Sequence, residues 1–128
     1  MFGNTEAFSS FAVDDIERAR RFYGETLGLR VTEESMGALL LHVPGGTPVF
    51  VYPKDGHAPA TYTVLNFRVP DIDTAVDELT ARGVALERYP GFEADEKGVV
   101  RGGPEGGPAA IAWFTDPAGN VLSVLQEN

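Results

Sequence analysis

Few residues in this sequence are of types that do chemistry directly. Cysteine is absent and histidine occurs only twice, as His42 and His57, so a catalytic thiol is excluded and an imidazole-rich metal site is disfavoured. No metalloprotease, paired-cysteine or phosphate-loop motif is present. His57 lies in a turn-rich segment, where a histidine is most often solvated. His42 lies late in a predicted strand and is a candidate polar group for a pocket.

Composition and charge narrow the possible partners. The 128 residues suit one domain, and the net charge of −9 gives a pI near 4.5. Such an acidic surface repels nucleic acid and anionic membranes and attracts a cationic small molecule, although solubility alone could also explain the charge. No apolar run approaches the roughly 20 residues of a membrane helix. The N-terminal residues do not resemble a signal peptide. Together with the lack of cysteine, this predicts a cytoplasmic protein.

The sequence contains an internal repeat. "FAVDDIERARRF" aligns with "FRVPDIDTAVDE" at an offset of 56 residues, and "LHVPGGTPVFV" aligns with "FTDPAGNVLSV" at an offset of 73. We therefore predict a single domain, 1–128, built from two copies of one module, about 1–56 and 61–128, with a linker over 53–61. The second copy carries an insertion around "PGFEADEKGVVRGGPEGG".

Each module shows the same order of predicted elements, β-α-β-β-β. A short alternating strand precedes Asp15 or Asp71, each placed as a helix N-cap. Apolar residues then recur at helical spacing up to Gly28 or Gly83, which suit a left-handed helix end. Three strands follow each helix, predicted near 29–34, 38–43 and 48–52 and near 84–89, 109–115 and 120–126.

The repeated module, with "VDDIERARRFYGETLGL" and "FTDPAGNVLSV", resembles the vicinal oxygen chelate superfamily, also called the glyoxalase/bleomycin-resistance/dioxygenase superfamily. The resemblance covers the chain from about Phe8 to Gln126. It implies an α+β fold in which two tandem βαβββ modules form a cupped, eight-stranded mixed sheet with helices outside. It also implies a homodimer.

The resemblance further implies where metal ligands would lie. In metalloenzyme members, the first and last strand of each module supply His, Glu or Gln side chains. The matching positions here are Phe8, Phe50, Val64 and Ser123. Phe and Val have no donor atom and neutral Ser is a poor ligand, and a one-residue shift, to Ser9, Val51, Leu65 and Val124, is no better. We therefore expect no metal and no cofactor.

The period-two alternation of the strands predicts which side chains face the cup. The inward set is mostly apolar and aromatic, with a few polar groups, which suits an organic ligand. We assign as ligand-binding candidates Phe8, Ser10, His42, Phe50, Tyr52, Asn66, Arg68, Trp113 and Ser123. The alternative is a cup filled by its own side chains. Arg68 could grip a carboxylate or phosphate, or it could lie at a strand end beside solvent or an acidic neighbour.

The preferred function is a metal-free small-molecule-binding protein, one that sequesters a hydrophobic or cationic compound without transforming it. The alternative is an enzyme, a glyoxalase- or dioxygenase-like lyase or isomerase with a non-standard or relocated active site. In that case His42, Tyr52 and Arg68 would do acid–base and anion-holding work. A structural or regulatory domain with a vestigial pocket is a third class. We assign no catalytic residue, and the ligand's identity stays open.

Overall fold

A computed structural model describes residues 1–102 and 107–127. The chain divides into two compact units, Met1–Pro59 and Ala60–Asn128. The described residues include no helix that is long and apolar enough to cross a lipid bilayer. Residues 103–106, part of the predicted insertion, lie outside the described residues.

The first unit is a four-stranded sheet with a short helix. The strands lie in the order β1-β4-β3-β2, with β1 parallel to β4 and the other pairs antiparallel. A π-helical turn extends the helix, and a 3-10 turn lies between β2 and β3. The elements are β1 (Ser10–Val13), α1 (Ile16–Arg21), the π turn (Phe22–Thr26), β2 (Arg30–Glu33), the 3-10 turn (Ser35–Gly37), β3 (Leu39–His42) and β4 (Val49–Pro53).

The second unit repeats this plan, with strands in the order β5-β8-β7-β6 and β5 parallel to β8. Its elements are β5 (Thr63–Arg68), α2 (Ile72–Ala81), β6 (Val100–Arg101), β7 (Ala110–Thr115) and β8 (Val121–Gln126). The predicted α+β fold with two βαβββ modules is therefore confirmed.

The strand predicted over 84–89 was wrong in position. In that stretch only Glu87 pairs, through an isolated bridge to Trp113. The strand that follows α2 is instead β6, which lies in the predicted insertion and pairs Val100 with Ile111 and Arg101 with Ala110. Two segments therefore pair with the outer edge of β7: Glu87 opposite Trp113, and β6 opposite Ala110 and Ile111. Because β6 occupies part of this edge, residues 84–89 do not form a continuous strand along it.

Both predicted helix starts are confirmed. A carboxylate oxygen of Asp15 accepts hydrogen bonds from the backbone N–H groups of Glu17 and Arg18, both at 3.1 Å. Asp71 does the same for the first turn of α2. The predicted glycine ends are also confirmed, since Gly28 and Gly83 have φ values of 75° and 83°.

Each sheet buries one face under its helix. The ring of Phe11 lies 5.9 Å from that of Tyr23 in the π turn. In the second unit the apolar side of α2 is buried, and so are alternate residues of β7. On the helix side, the buried strand positions are Phe11, Val13, Leu39, Leu41, Val49, Val51, Ala110, Ala112, Phe114, Leu122 and Val124. Val121 and Ser123, which pair with Thr115 and Trp113, are buried on the opposite side of the second sheet. We call the opposite side of each sheet its helix-free face.

An ionic cluster fastens the inserted segment 95–101 to α2. Arg101 lies 2.5 Å from Asp73 and 3.0 Å from Asp95, and Lys97 lies 3.0 Å from Asp77. The hydrogen bond from Arg101 lowers the pKa of Asp73. The hydrogen bond from the backbone N–H of Val99 lowers the pKa of Asp95, and the hydrogen bond from the Arg101 side chain lowers it further. These contacts are largely exposed, so they orient the segment more than they stabilise the fold.

Gly98 lets this segment pack closely against Leu86. Its φ is 91°, and a Cβ at this position would lie 2.8 Å from Cβ of Leu86. We expect Gly98→Ala to lower the free energy of unfolding by about 2–4 kcal/mol, because backbone strain and a clash add together. Chemical denaturation measures this.

The matched control is Gly91→Ala. Gly91 has a φ of 90° but no atom within 4 Å of the added Cβ, so it reports the backbone strain alone. Equal destabilisation by the two substitutions would contradict the proposed clash with Leu86.

Candidate functional site

A row of four residues crosses the helix-free face of the second unit. Asn66 on β5 pairs with Ser123 on β8, and Ser123 pairs with Trp113 on β7. Glu87 bridges Trp113 on the far side, with its backbone N–H 2.7 Å from the Trp113 carbonyl oxygen. Directly paired residues project to the same face of a sheet. The row therefore places an amide, a hydroxyl, an indole and a carboxylate side by side.

The β7–β8 turn fixes this row. One carboxylate oxygen of Asp116 accepts hydrogen bonds from the backbone N–H groups of Ala118 and Asn120, at 2.9 and 2.8 Å. Its other oxygen accepts from the Asn120 side-chain amide at 2.9 Å. Both side chains are buried. A buried, hydrogen-bonded turn sets the strand register, and so it places Trp113 opposite Ser123.

Ser123 holds Asn66 in place. Ser123 is fully buried, and its hydroxyl donates a 2.5 Å hydrogen bond to Oδ1 of Asn66. Asn66 is exposed, and within the part of the chain that the structure describes its Nδ2 group has no partner. The amide thus presents two N–H donors to a ligand.

Trp113 belongs to an aromatic cluster. Its ring centre lies 5.6 Å from that of Tyr89, nearly perpendicular, and 5.1 Å from that of Phe92. Trp113 and Tyr89 are half-buried, whereas Phe92 is 55% exposed. Burial, with a contribution from the Glu87 carboxylate, raises the pKa of Tyr89. The cluster is therefore a partly open aromatic surface.

Tyr89, Phe92 and Glu87 were missing from the sequence-based candidates. They lie in the segment after α2, which pairs with β7 through the Glu87–Trp113 bridge alone. A single bridge imposes no alternating pattern on the sequence. The available signal was the aromatic content of this segment, which has Tyr89 and Phe92 three residues apart.

The candidates of the first unit form a second aromatic surface. Phe8 and Phe50 lie with ring centres 6.2 Å apart, and Phe50 and Tyr52 lie 6.1 Å apart. Ser10 is the direct partner of Phe50. Phe8 is 65% exposed and Tyr52 is 36% exposed. This strip runs along the helix-free face of the first unit.

His42 is engaged in a local hydrogen bond. Its Nε2 atom lies 2.8 Å from Oγ1 of Thr32. Because Leu40 is the partner of Phe50, His42 and Tyr52 lie toward opposite ends of the face. Four residues along a strand correspond to roughly 13 Å. The two side chains therefore do not converge on one substrate atom in this unit.

Arg68 lies at the end of β5, where it makes an ion pair with Glu127 at 3.0 Å. Its side chain is 79% exposed. The sequence left two placements open for Arg68, an anion-binding position in the cup or a strand end beside an acidic neighbour. The structure places it at the strand end. The ion pair is solvated, so it holds Arg68 only weakly.

The four family ligand positions do not fit a divalent cation. The Phe8 ring contacts Phe50, Val64 has no donor atom, and the Ser123 hydroxyl is bonded to Asn66. Across residues 1–102 and 107–127, no three His, Cys, Asp or Glu side chains are grouped so as to hold a metal. We derive no chemistry through a metal at these positions.

Comparisons with solved structures show the same fold. A glyoxalase/bleomycin resistance protein/dioxygenase superfamily member from Sphaerobacter thermophilus DSM 20745 is 28% identical, with a TM-score of 0.65, covering 95% of this chain and 98% of that one. TnmS3, an antibiotic binding protein from Streptomyces sp. CB03234, is 24% identical, with a TM-score of 0.68 and 98% coverage of both chains.

The fosfomycin resistance protein FosX from Listeria monocytogenes is 12% identical, with a TM-score of 0.70, covering 98% of this chain and 94% of that one. No curated protein matches the sequence. A family model, by contrast, matches residues 7–124. Since that match spans nearly the whole chain, the protein belongs to the Glyoxalase/Bleomycin resistance protein/Dioxygenase superfamily.

Proposed function

We propose that this protein binds a small organic molecule, hydrophobic or cationic, without a metal and without transforming it. The observation that carries the proposal is the partly open cluster of Trp113, Tyr89 and Phe92 beside the free amide donors of Asn66. A planar ligand would stack on the indole while an acceptor group took a hydrogen bond from Asn66. Ser123 would act through Asn66.

Ligand sites combine apolar surface with a few placed polar groups, and the second unit has both. Stacking on an aromatic ring contributes about 0.5–1.5 kcal/mol beyond the area that it buries. In the same proposal, Phe8, Ser10, His42, Phe50 and Tyr52 offer ligand contacts on the helix-free face of the first unit. Arg68 offers an exposed positive charge at the strand end.

Binding without catalysis is favoured over an enzyme by the state of the candidate acid–base groups. His42 is bonded to Thr32 and lies away from Tyr52, and Arg68 is paired with Glu127. TnmS3 is described as an antibiotic binding protein and FosX as a fosfomycin resistance protein. Their low identities establish a shared fold and no more, so the proposal rests on the side chains described above.

Two further parts of the proposal concern the state of the protein. We propose a homodimer, since several large apolar side chains are exposed, among them Phe2 and Met36. We also propose a cytoplasmic location, because a sequence without cysteine needs no oxidising compartment.

Trp113→Ala should weaken binding of planar aromatic compounds by about 1–3 kcal/mol, or roughly five- to 150-fold in Kd, because the stacking surface is lost. Calorimetric titration with a panel of neutral and cationic aromatics measures this. Tyr62→Ala is the matched control, since Tyr62 is an aromatic residue of the same unit with 71% exposure.

Thermal unfolding of each variant accompanies the titration, so that loss of the fold is not mistaken for loss of a contact. Full affinity in a folded Trp113→Ala protein would contradict the proposed site. So would the absence of any binding by the wild type across the panel.

Purified protein should contain no stoichiometric divalent metal, and a chelator should leave its Tm unchanged. A bound metal contributes to folding free energy, so its removal would lower the Tm. Elemental analysis and a thermal melt with and without chelator test this expectation. A chelator-induced fall of several degrees would overturn the metal-free proposal.

Sedimentation equilibrium at micromolar concentration should give twice the chain mass of 13.7 kDa. Dimerisation would cover exposed apolar side chains and sheet edges. A mass of a single chain across the accessible concentrations would rule the homodimer out.

A further inference from the structure

The Glu87 side chain lies beside the aromatic cluster. Glu87 is the bridge partner of Trp113, so both side chains project from the same face. Tyr89, two residues further on, projects the same way and contacts the indole ring. The residue is half-buried. A carboxylate thus borders the surface on which a ligand would stack.

In the described part of the second unit, no Lys or Arg side chain pairs with the Glu87 carboxylate. The Lys and Arg side chains of the second unit all bind other partners: Arg68 binds Glu127, Arg82 binds Glu78, Arg88 binds the Glu96 carbonyl, Lys97 binds Asp73 and Asp77, and Arg101 binds Asp73 and Asp95. Among the residues that the structure describes, none makes a side-chain hydrogen bond or ion pair with Glu87. Its negative charge is therefore available to a ligand.

Two attractions coincide at this position. An organic cation over the indole face interacts with the ring quadrupole, and the same charge interacts with the neighbouring Glu87 carboxylate. A neutral ring of the same shape gains stacking alone. An anionic ring is repelled both by Glu87 and by the net charge of −9.

We propose that Glu87 is a specificity-determining residue that selects planar organic cations, such as N-alkylated heteroaromatic rings, for the Trp113 surface. This inference rests on the proposed function and narrows its ligand class from hydrophobic or cationic compounds to cations. It also assigns the selecting group to the segment after α2, outside the family's ligand positions.

The test uses two aromatic probes of nearly equal shape, quinoline, which is neutral at neutral pH, and N-methylquinolinium, which is permanently charged. The indole N–H resonance of the single Trp reports binding at the site itself. The wild type should bind N-methylquinolinium about tenfold more tightly than quinoline at low salt. In Glu87→Gln the cation should lose most of this advantage, while quinoline should bind within about twofold of wild type.

Glu96→Gln is the control, because it makes the same change in net charge at an exposed residue outside the row. It should leave the preference for the cation intact. Equal affinity of the wild type for both probes would overturn the role of Glu87 and leave the aromatic site standing. An equal loss of both probes in Glu87→Gln, or an equal effect of Glu96→Gln, would also overturn it. Binding of neither probe to the wild type would contradict both proposals.

Discussion

The register of the β7–β8 hairpin is the constraint on which the candidate site depends. It is held by a buried turn in which Asp116 and Asn120 satisfy one another's polar groups. A slip of one residue would turn Trp113 toward α2 and bring an apolar neighbour to the helix-free face. With the register fixed, Ser123 meets Asn66 on one side and Trp113 on the other. The chemistry available on this face follows from that alignment.

The segment after α2 contributes a carboxylate and two further aromatic rings to the candidate site. It brings Glu87, Tyr89 and Phe92 to the outer edge of β7, next to the indole. Its return path is shaped by Gly98, where a Cβ would lie 2.8 Å from Cβ of Leu86, and by the ion pairs of Arg101. The segment is therefore a fixed wall of the candidate site, although it contributes only a two-residue strand to the sheet.

The positions where the family resemblance implies metal ligands make other contacts in this protein. Phe8 and Phe50 form an edge-to-face aromatic pair, and Ser123 orients an amide. Aromatic faces and amide donors recognise organic molecules by shape and hydrogen bonding, whereas divalent cations need several carboxylate or imidazole groups. The side chains at these positions therefore fit the organic ligand that we propose better than a divalent cation.

By itself the sequence determined the two βαβββ modules, the Asp15 and Asp71 helix starts and the glycine helix ends, because these depend on local periodicity and capping chemistry. It also placed Trp113 and Ser123 on one face, since alternation and the "DPAGN" turn fix a hairpin. Only the tertiary structure decided that Glu87, Tyr89 and Phe92 join them, and that β6 lies at Val100–Arg101. Those contacts join residues distant in sequence through one bridge and a few ring contacts, and such pairings leave no periodic pattern in the chain.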